Sequence, residues 1–424
     1  MNLYDANGNT ISIDSNTTVD VVEPANGDIP RLYLTGNVAN TATGTTENIT
    51  VQYRSKTDSF DCYGTIKVQG SSSKAYPKKN YTLKFFKDEA HETKFRYDFR
   101  GWGKQNKFVI KANWIDITHA RNVVTARLWG DMVASRSDFD SLPTELKTAP
   151  NKGAIDGFPV MVYINGLYWG RYTLNIPKDA WTFNMNDSYD IHCVICGEDY
   201  KKTCFQESPV LLNGSDWSDE IHDTCPTAIV TRWNEVHDFV INSTDAEFVA
   251  NFENHMNLLS VIDYYILAYV DCGIDSLGRN MIFLTYDGNH WIASSYDLDS
   301  TWGLAWSGGL TNNPELAMQS GYQSVINYSE GNKLFVRLEN LCADAIKARY
   351  AELRSGALSE TNIINRFESF MESMSSDLVA EDYAETTGEG AFTEIPSKDT
   401  NNIQQLRDFI VKRLAYVDSQ IEAL

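Results

Sequence analysis

At 424 residues, with 42% apolar and 12% aromatic content, the chain is too long for one minimal core and too apolar for wholesale disorder. A formal charge of −21 disfavours phosphate backbones and anionic lipid, so no nucleic-acid partner and no membrane-surface partner is expected. No run of about 18 apolar residues suggests a membrane span, and the polar start Met1-Asn-Leu-Tyr-Asp5 lacks the basic-then-apolar order of a secretory signal.

Residues 1–60, rich in Thr, Asn, Gly and Val, read as a small β module or a sheet extension. Short runs such as Thr10–Asp14 and Ile49–Tyr53 alternate, with turns at Asn7-Gly8 and Asn26-Gly27. Residues 61–178 read as a β-rich unit around one helix. Strands are predicted at Thr65–Gln69, Tyr81–Phe86 and Lys107–Ala112, with a small-residue turn from Gly70 to Pro77. Asp116 is placed to cap a helix over Ile117–Met132. Val160–Ile164, the Asn165-Gly166 turn and Gly170–Leu174 predict a hairpin.

Residues 179–424 read as mainly helical. Ile191–Cys196 is predicted as a buried strand. Cys193 and Cys196, with Cys204, Cys225, His192 and His222 nearby, are read as strand cysteines, because a zinc ribbon needs a second close pair. Seven cysteines, an odd number, fit a reducing compartment better than a disulfide framework. Leu258, Leu259, Ile262, Tyr265, Ile266 and Tyr269 recur at helical spacing and predict a buried helix ending near Asp275. Met281–Tyr286, Asp287-Gly288 and Trp291–Ser295 predict a second hairpin. Leu334–Leu353 reads as a single amphipathic helix, Glu381–Asn402 as a surface loop, and Ile403–Ile421 as a terminal helix.

The candidate chemistry lies between the buried helix and the second hairpin, and just after it. Asp275 and Asn280 stand five apart, followed by Asp297 and Asp299. Phosphoryl transfer needs hard oxygen ligands for Mg²⁺ and one carboxylate aimed at the attacking hydroxyl, and protein kinases space an Asp, an Asn and a later Asp in this way. The same residues are also ordinary turn formers, so spacing alone leaves both readings open.

Further segments strengthen the first. Gln69-Gly-Ser-Ser-Ser-Lys-Ala-Tyr-Pro-Lys-Lys-Asn-Tyr-Thr-Leu-Lys84, Asn113 to Asp116 with Ala120-Arg-Asn122, Val162–Leu174, Asp275 to Asn280 and Tyr296-Asp-Leu-Asp-Ser-Thr-Trp-Gly303 occur in that order. Together they resemble the spore-coat protein H (CotH) kinase-like family, over Gly64 to the terminal helix. The resemblance implies an α+β, two-lobed protein-kinase-like fold. It implies binding of ATP with Mg²⁺ or Mn²⁺ and phosphorylation of Ser or Thr on a protein acceptor. Asp275 would be the catalytic carboxylate, with Asn280, Asp297 and Asp299 on the metal. Gly70, Ser71, Ser72 and Ser73 would lie over the phosphates. Lys79, Lys84 and Lys111 compete for the phosphate-holding lysine, and Arg121 would reach phosphate or an Asp. Each has a plainer reading: solvated charges for Lys78 and Lys79, a simple turn for the serines, a carboxylate pair for Arg121. The segment Ile117–Met132 has no Glu, only Asp131 near its end, so an ordinary kinase lysine–glutamate pair is not evident. Asn175 stands where the family often carries Glu, at the expected link between lobes, which implies a different nucleotide recognition.

Two other functions remain beside this one. The first is a catalytically weak, pseudokinase-like structural or surface-binding protein, with ten tryptophans serving adhesion, assembly or carbohydrate contact. The second is transfer to a sugar or another small hydroxyl. Retention of Asp275, Asn280, Asp297 and Asp299 together favours the enzyme. The expected location is cytoplasmic, or assembled on a spore, cell or virion surface.

Overall fold

The computed structural model describes residues 3–4, 10–11, 29–38, 44–70, 72–76, 78–317, 331–374 and 401–424. The Asn7-Gly8 and Asn26-Gly27 turns, Ser71, and the predicted loop from Glu381 up to residue 400 lie outside the described residues. Two short strands, β1 (Leu3–Tyr4) and β2 (Thr10–Ile11), pair antiparallel. The architecture is mixed α+β.

Seven strands close into a barrel in the order β3-β4-β5-β6-β7-β9-β8. They are β3 (Arg31–Gly36), β4 (Thr46–Arg54), β5 (Ser59–Gln69), β6 (Asn80–Phe86), β7 (Lys107–Lys111), β8 (Gly157–Ile164) and β9 (Leu167–Asn175). Neighbours are antiparallel except β3 and β8, whose parallel pairing shuts the barrel. Alternation explains the closure. Leu83 and Phe85 of β6, Phe108 and Ile110 of β7, and Val160 and Val162 of β8 point into one apolar interior.

The helices among the described residues include α1 (Arg121–Ala134), α2 (Thr144–Thr148), α3 (Tyr200–Thr203), α4 (Thr227–Asn242) and α5 (Asp245–Asn251). After these come α6 (Leu258–Val270), α7 (Lys333–Leu341), α8 (Ala343–Ser355), α9 (Glu360–Glu372) and a C-terminal helix over Ile403–Ala423. The expectation of strands wrapped around one helix is corrected here. The barrel fills itself with its own side chains, and α1 lies outside it. Val124, Leu128, Trp129 and Met132 of α1 share a second core with α6 and α9, joined by Met161 and Tyr163 from the outer face of β8. Strand β8 is thus buried on both faces, which accounts for its unbroken apolar run.

Two helix boundaries also differ from expectation. Helix α1 begins at Arg121, four residues late, because residues 117–120 form turns with His119 in the left-handed region (φ 53°). Asp116 still accepts from the Thr118 and Arg121 amides, at 3.2 and 3.0 Å. The predicted helix Leu334–Leu353 is two helices, broken where Cys342 leaves helical geometry (φ −127°, ψ 21°).

A second sheet supports the helical part, in the order β11 (Trp217–Asp219), β10 (Cys193–Gly197), β12 (Ile282–Thr285), β13 (Ile292–Ser294), all antiparallel. Strand β10 is buried throughout but begins at Cys193, two residues later than predicted, and Ile191 lies exposed in the turn before it. Among the described residues, no helix is long and apolar enough to cross a membrane.

Candidate active site

Strand register assembles the acidic residues. Ile282 of β12 pairs with Ser294 of β13, so the start of one strand lies beside the end of the other. Asn280 stands just before that start, and Asp297 just after that end. Both hold left-handed backbone (φ 57° and 54°), a region where Asn and Asp are better tolerated than most residues with a side chain. Asp275 opens a 3₁₀ turn, Asp275–Leu277, shortly after α6. Gly278 then lets the loop press against α3: a Cβ there would sit 2.6 Å from Tyr200 Cδ1 and 2.9 Å from Cys204 Sγ. That approach brings Tyr200 Oη to donate to Asp275 Oδ1 at 2.5 Å.

The candidate cations separate clearly. Lys111, at the end of β7, places Nζ 3.7 Å from Asp297 Oδ1, with its side chain only 13% exposed. Lys84 is exposed on β6 and pairs across the sheet with Lys107, four residues before Lys111 along β7, or about 13 Å. Lys79 donates to the carbonyls of Lys74 and Tyr76, pinning the turn it follows. Arg121 is wholly buried and reaches an Asp: it bonds Asp116 at 2.5 Å, the Thr301 carbonyl at 3.0 Å, and Asn401 and Gln405 at 2.8 Å. Its donors are committed to the frame, so a phosphate-binding role does not fit its surroundings.

The glycine-serine turn lies beside the acidic loop. Gly70 has φ 117°, and a Cβ there would meet Ser73 Oγ at 2.0 Å. Asn80 ties the turn to the strand bearing Lys111: its Nδ2 donates to Ser73 Oγ at 3.3 Å, and its Oδ1 accepts from the Ala112 amide at 2.7 Å. Tyr76 Oη donates to the Trp306 carbonyl at 3.3 Å. Burial and the nearby Asp299 carboxylate push that phenol up to about 12. Ser71 and the Ser72 side chain are outside what is described.

The site carries a surplus of negative charge. Burial, then the Asp297 carboxylate, push Asp299 up to about 8, against Lys111 and a bond from Ser300. Burial also raises Asp275, with Asp297 adding to it, while Tyr200 and Arg279 pull the other way. Burial opposes charge on Lys111, yet Asp297, Tyr296 and Asp299 outweigh it and hold the ammonium above its usual range. Hard oxygen donors that repel one another in a half-enclosed space fit a divalent cation, which would relieve that repulsion.

Several neighbours carry no signal in the sequence. Lys178 pairs with Glu220 Oε1 at 2.7 Å and lies 4.6 Å over the Tyr296 ring. Their separation along the chain hides the pair, although the strand–Pro–Lys exit from β9 marks Lys178 as a link residue. Asn175, expected near that link, closes β9 against both Val109 and Gly157. Asp271 caps α6 fully buried and is pushed up to about 8 by that burial. Its carboxylate accepts from the Gly273 amide at 2.7 Å, and its carbonyl accepts from the Trp302 amide at 2.7 Å. It thereby joins the Asp275 turn to the loop after Asp299. Asp131, the only acid of α1, pairs with Arg366 instead of a site lysine.

With this geometry in place, comparison with protein families is direct. The family model described as CotH kinase protein matches residues 66–417, and the chain belongs to the CotH kinase family. No curated protein matches the chain.

Proposed function

We propose that the chain is a two-lobed, kinase-like phosphotransferase, with the barrel as one lobe and the helical part as the other. It would pass the γ-phosphoryl group of ATP to a Ser or Thr hydroxyl on a protein. The observation that carries this reading is Lys111 of the barrel reaching Asp297 of the helical part at 3.7 Å, beside Asp275 and Asp299. Asn280, Asp297 and Asp299 would hold Mg²⁺ or Mn²⁺. The metal supplies charge neutralisation on the phosphate oxygens. Lys111 would hold phosphate, and the Gly70–Ser73 turn would cover it. Asp275 would orient the attacking hydroxyl and accept its proton as the new O–P bond forms and the bond to the ADP oxygen breaks. A carboxylate raised by burial is a better proton acceptor than a solvated one.

Calorimetry of ATP binding with and without Mg²⁺ or Mn²⁺ tests the site. Wild type should bind only with metal, and Asp297→Ala should lose that dependence. Lys111→Met should weaken binding by roughly 1.5–3 kcal/mol, the scale of a charged hydrogen bond. Lys84→Met should leave it unchanged. Asp275→Asn should keep nucleotide binding and lose about 10²–10⁴-fold in transfer. Absence of ATP binding with either metal would sink the reading.

One observation favours a catalytically silent nucleotide binder: the Tyr200 bond occupies one oxygen of Asp275. Tyr200→Phe distinguishes the two. A silent protein stays silent, whereas an active one keeps transfer with a shifted pH profile.

A further inference from the structure

The Cys193-Val-Ile-Cys196 spacing suggests a chelating pair, but strand geometry forbids it. Residues three apart on a strand point to opposite faces, so Cys193 and Cys196 diverge. Cys196 shares a face with Ser218, its partner across β11, near Lys178. Cys193 instead shares its face with Asp219, which pairs with Ile195. A third group comes from the loop entering α4: Cys225, just before the Pro226 cap. The two sulfurs and an Asp219 oxygen all lie within 4.8 Å of one another.

Cys193 Sγ stands 3.5 Å from Asp219 Oδ2. Tetrahedral zinc, with bonds of about 2.3 Å to sulfur and 2.0 Å to oxygen, separates such a pair by about 3.5 Å. Asp219 is held in place by neighbours: its Oδ1 accepts from the Ile221 and His222 amides at 3.0 and 3.1 Å, and His222 Nδ1 lies 2.8 Å from Oδ2. The His222 ring is nine-tenths buried, and its Nε2 has no hydrogen-bond partner. Ligating carboxylates are recurrently held by hydrogen bonds from neighbouring groups, and His222 holds Asp219 in this way.

We infer that Cys193, Cys225 and Asp219, with His222 beside them, form a structural site for zinc or a similarly thiophilic divalent cation. The site is independent of the proposed catalytic cluster, which takes hard oxygen-ligated metal. On binding, the two S–H bonds break, two metal–sulfur bonds form, and both protons go to solvent; no oxidant or reductant is needed. The ion would fasten β10, β11 and the entry to α4. It would sit on the face of the sheet opposite Glu220 and its partner Lys178.

The test uses the full chain purified without added metal or chelator. Elemental analysis should find one zinc per chain, lost in Cys193→Ser and in Cys225→Ser and retained in Cys62→Ser, a barrel cysteine. Cobalt titration of chelator-stripped wild type should develop thiolate-to-cobalt charge-transfer absorption, which keeps the test open should a variant fail to fold. Bound zinc should shield Cys193 and Cys225 from alkylation, mapped by mass spectrometry. Zinc retained by both variants, no cobalt charge-transfer band, or a Cys193–Cys225 disulfide in the isolated protein would each overturn the inference.

Discussion

His237 is enclosed on every side, with its ring stacked on Phe205 at 4.5 Å between centroids. Trp217 Nε1 donates to its Nε2 at 3.1 Å, so the other nitrogen carries the hydrogen and donates to the Glu207 carbonyl at 3.2 Å. Both contacts suit the neutral ring, and burial pulls the imidazole from 6.5 down to about 3. Linkage fixes the sign. Below pH 6.5 the unfolded chain takes up a proton that the folded chain refuses, so this contribution is complete above 6.5 and lost as pH falls towards 3. Stability should therefore drop by about 1.4 kcal/mol per pH unit in that window from this residue. His237→Gln keeps an acceptor and cannot titrate. Urea midpoints of the two proteins should converge as pH falls from 6.5, and parallel curves would refute the assignment. The lysines show what reading at this scale leaves open. Lys79, Lys84 and Lys111 are equivalent as residues in a sequence. Only the register of β6 on β7, and the place where β7 ends, set Lys111 at Asp297 and Lys84 about four residues away.

At the scale of elements, Asp263 of α6 joins three helical segments. It accepts from Arg349 of α8 at 2.7 Å and from Arg136, just past α1, at 2.6 Å, with all three residues buried. Removing the shared anion leaves two guanidinium groups enclosed together. Asp263→Ala should cost about 3–5 kcal/mol, well beyond an ordinary surface substitution, read as a lower urea midpoint. Asp263→Ala with Arg136→Met should recover part of that loss, and a simple sum of the two single effects would deny the coupling. Local pattern made the hairpins β8–β9 and β12–β13, helix α6 and the terminal helix legible, because each is written in a few consecutive residues. Barrel closure was not legible. It depends on β3 pairing in parallel with β8, more than a hundred residues on, and no local alternation encodes that. The same distinction runs through the site. Asp275, Asn280, Asp297 and Asp299 sit around one hairpin and could be found together. Lys178 with Glu220, and Cys193 with Asp219 and Cys225, meet only through sheet β10–β11.

Charge acts over the whole molecule. The chain carries −21, and the proposed cleft adds to the imbalance locally, where the carboxyl groups of Asp275, Asp297, Asp299 and Glu220 outnumber the cations Lys111, Lys178 and Arg279. An acceptor segment approaches through that field before it makes any contact, so cationic flanks should speed its arrival. A Ser peptide flanked by Lys and Arg should be phosphorylated with a higher kcat/KM than the same peptide flanked by Asp and Glu. Salt separates steering from docking. The screening length falls from about 30 Å at 0.01 M to about 10 Å at 0.1 M, so a long-range preference should shrink steeply over that range. A preference that persists unchanged would place the selectivity in short-range contacts at the cleft mouth, where Trp306 is exposed beside the acidic loop. A preference for acidic flanks would mean that a local basic surface outweighs the net field, and the steering argument would fall.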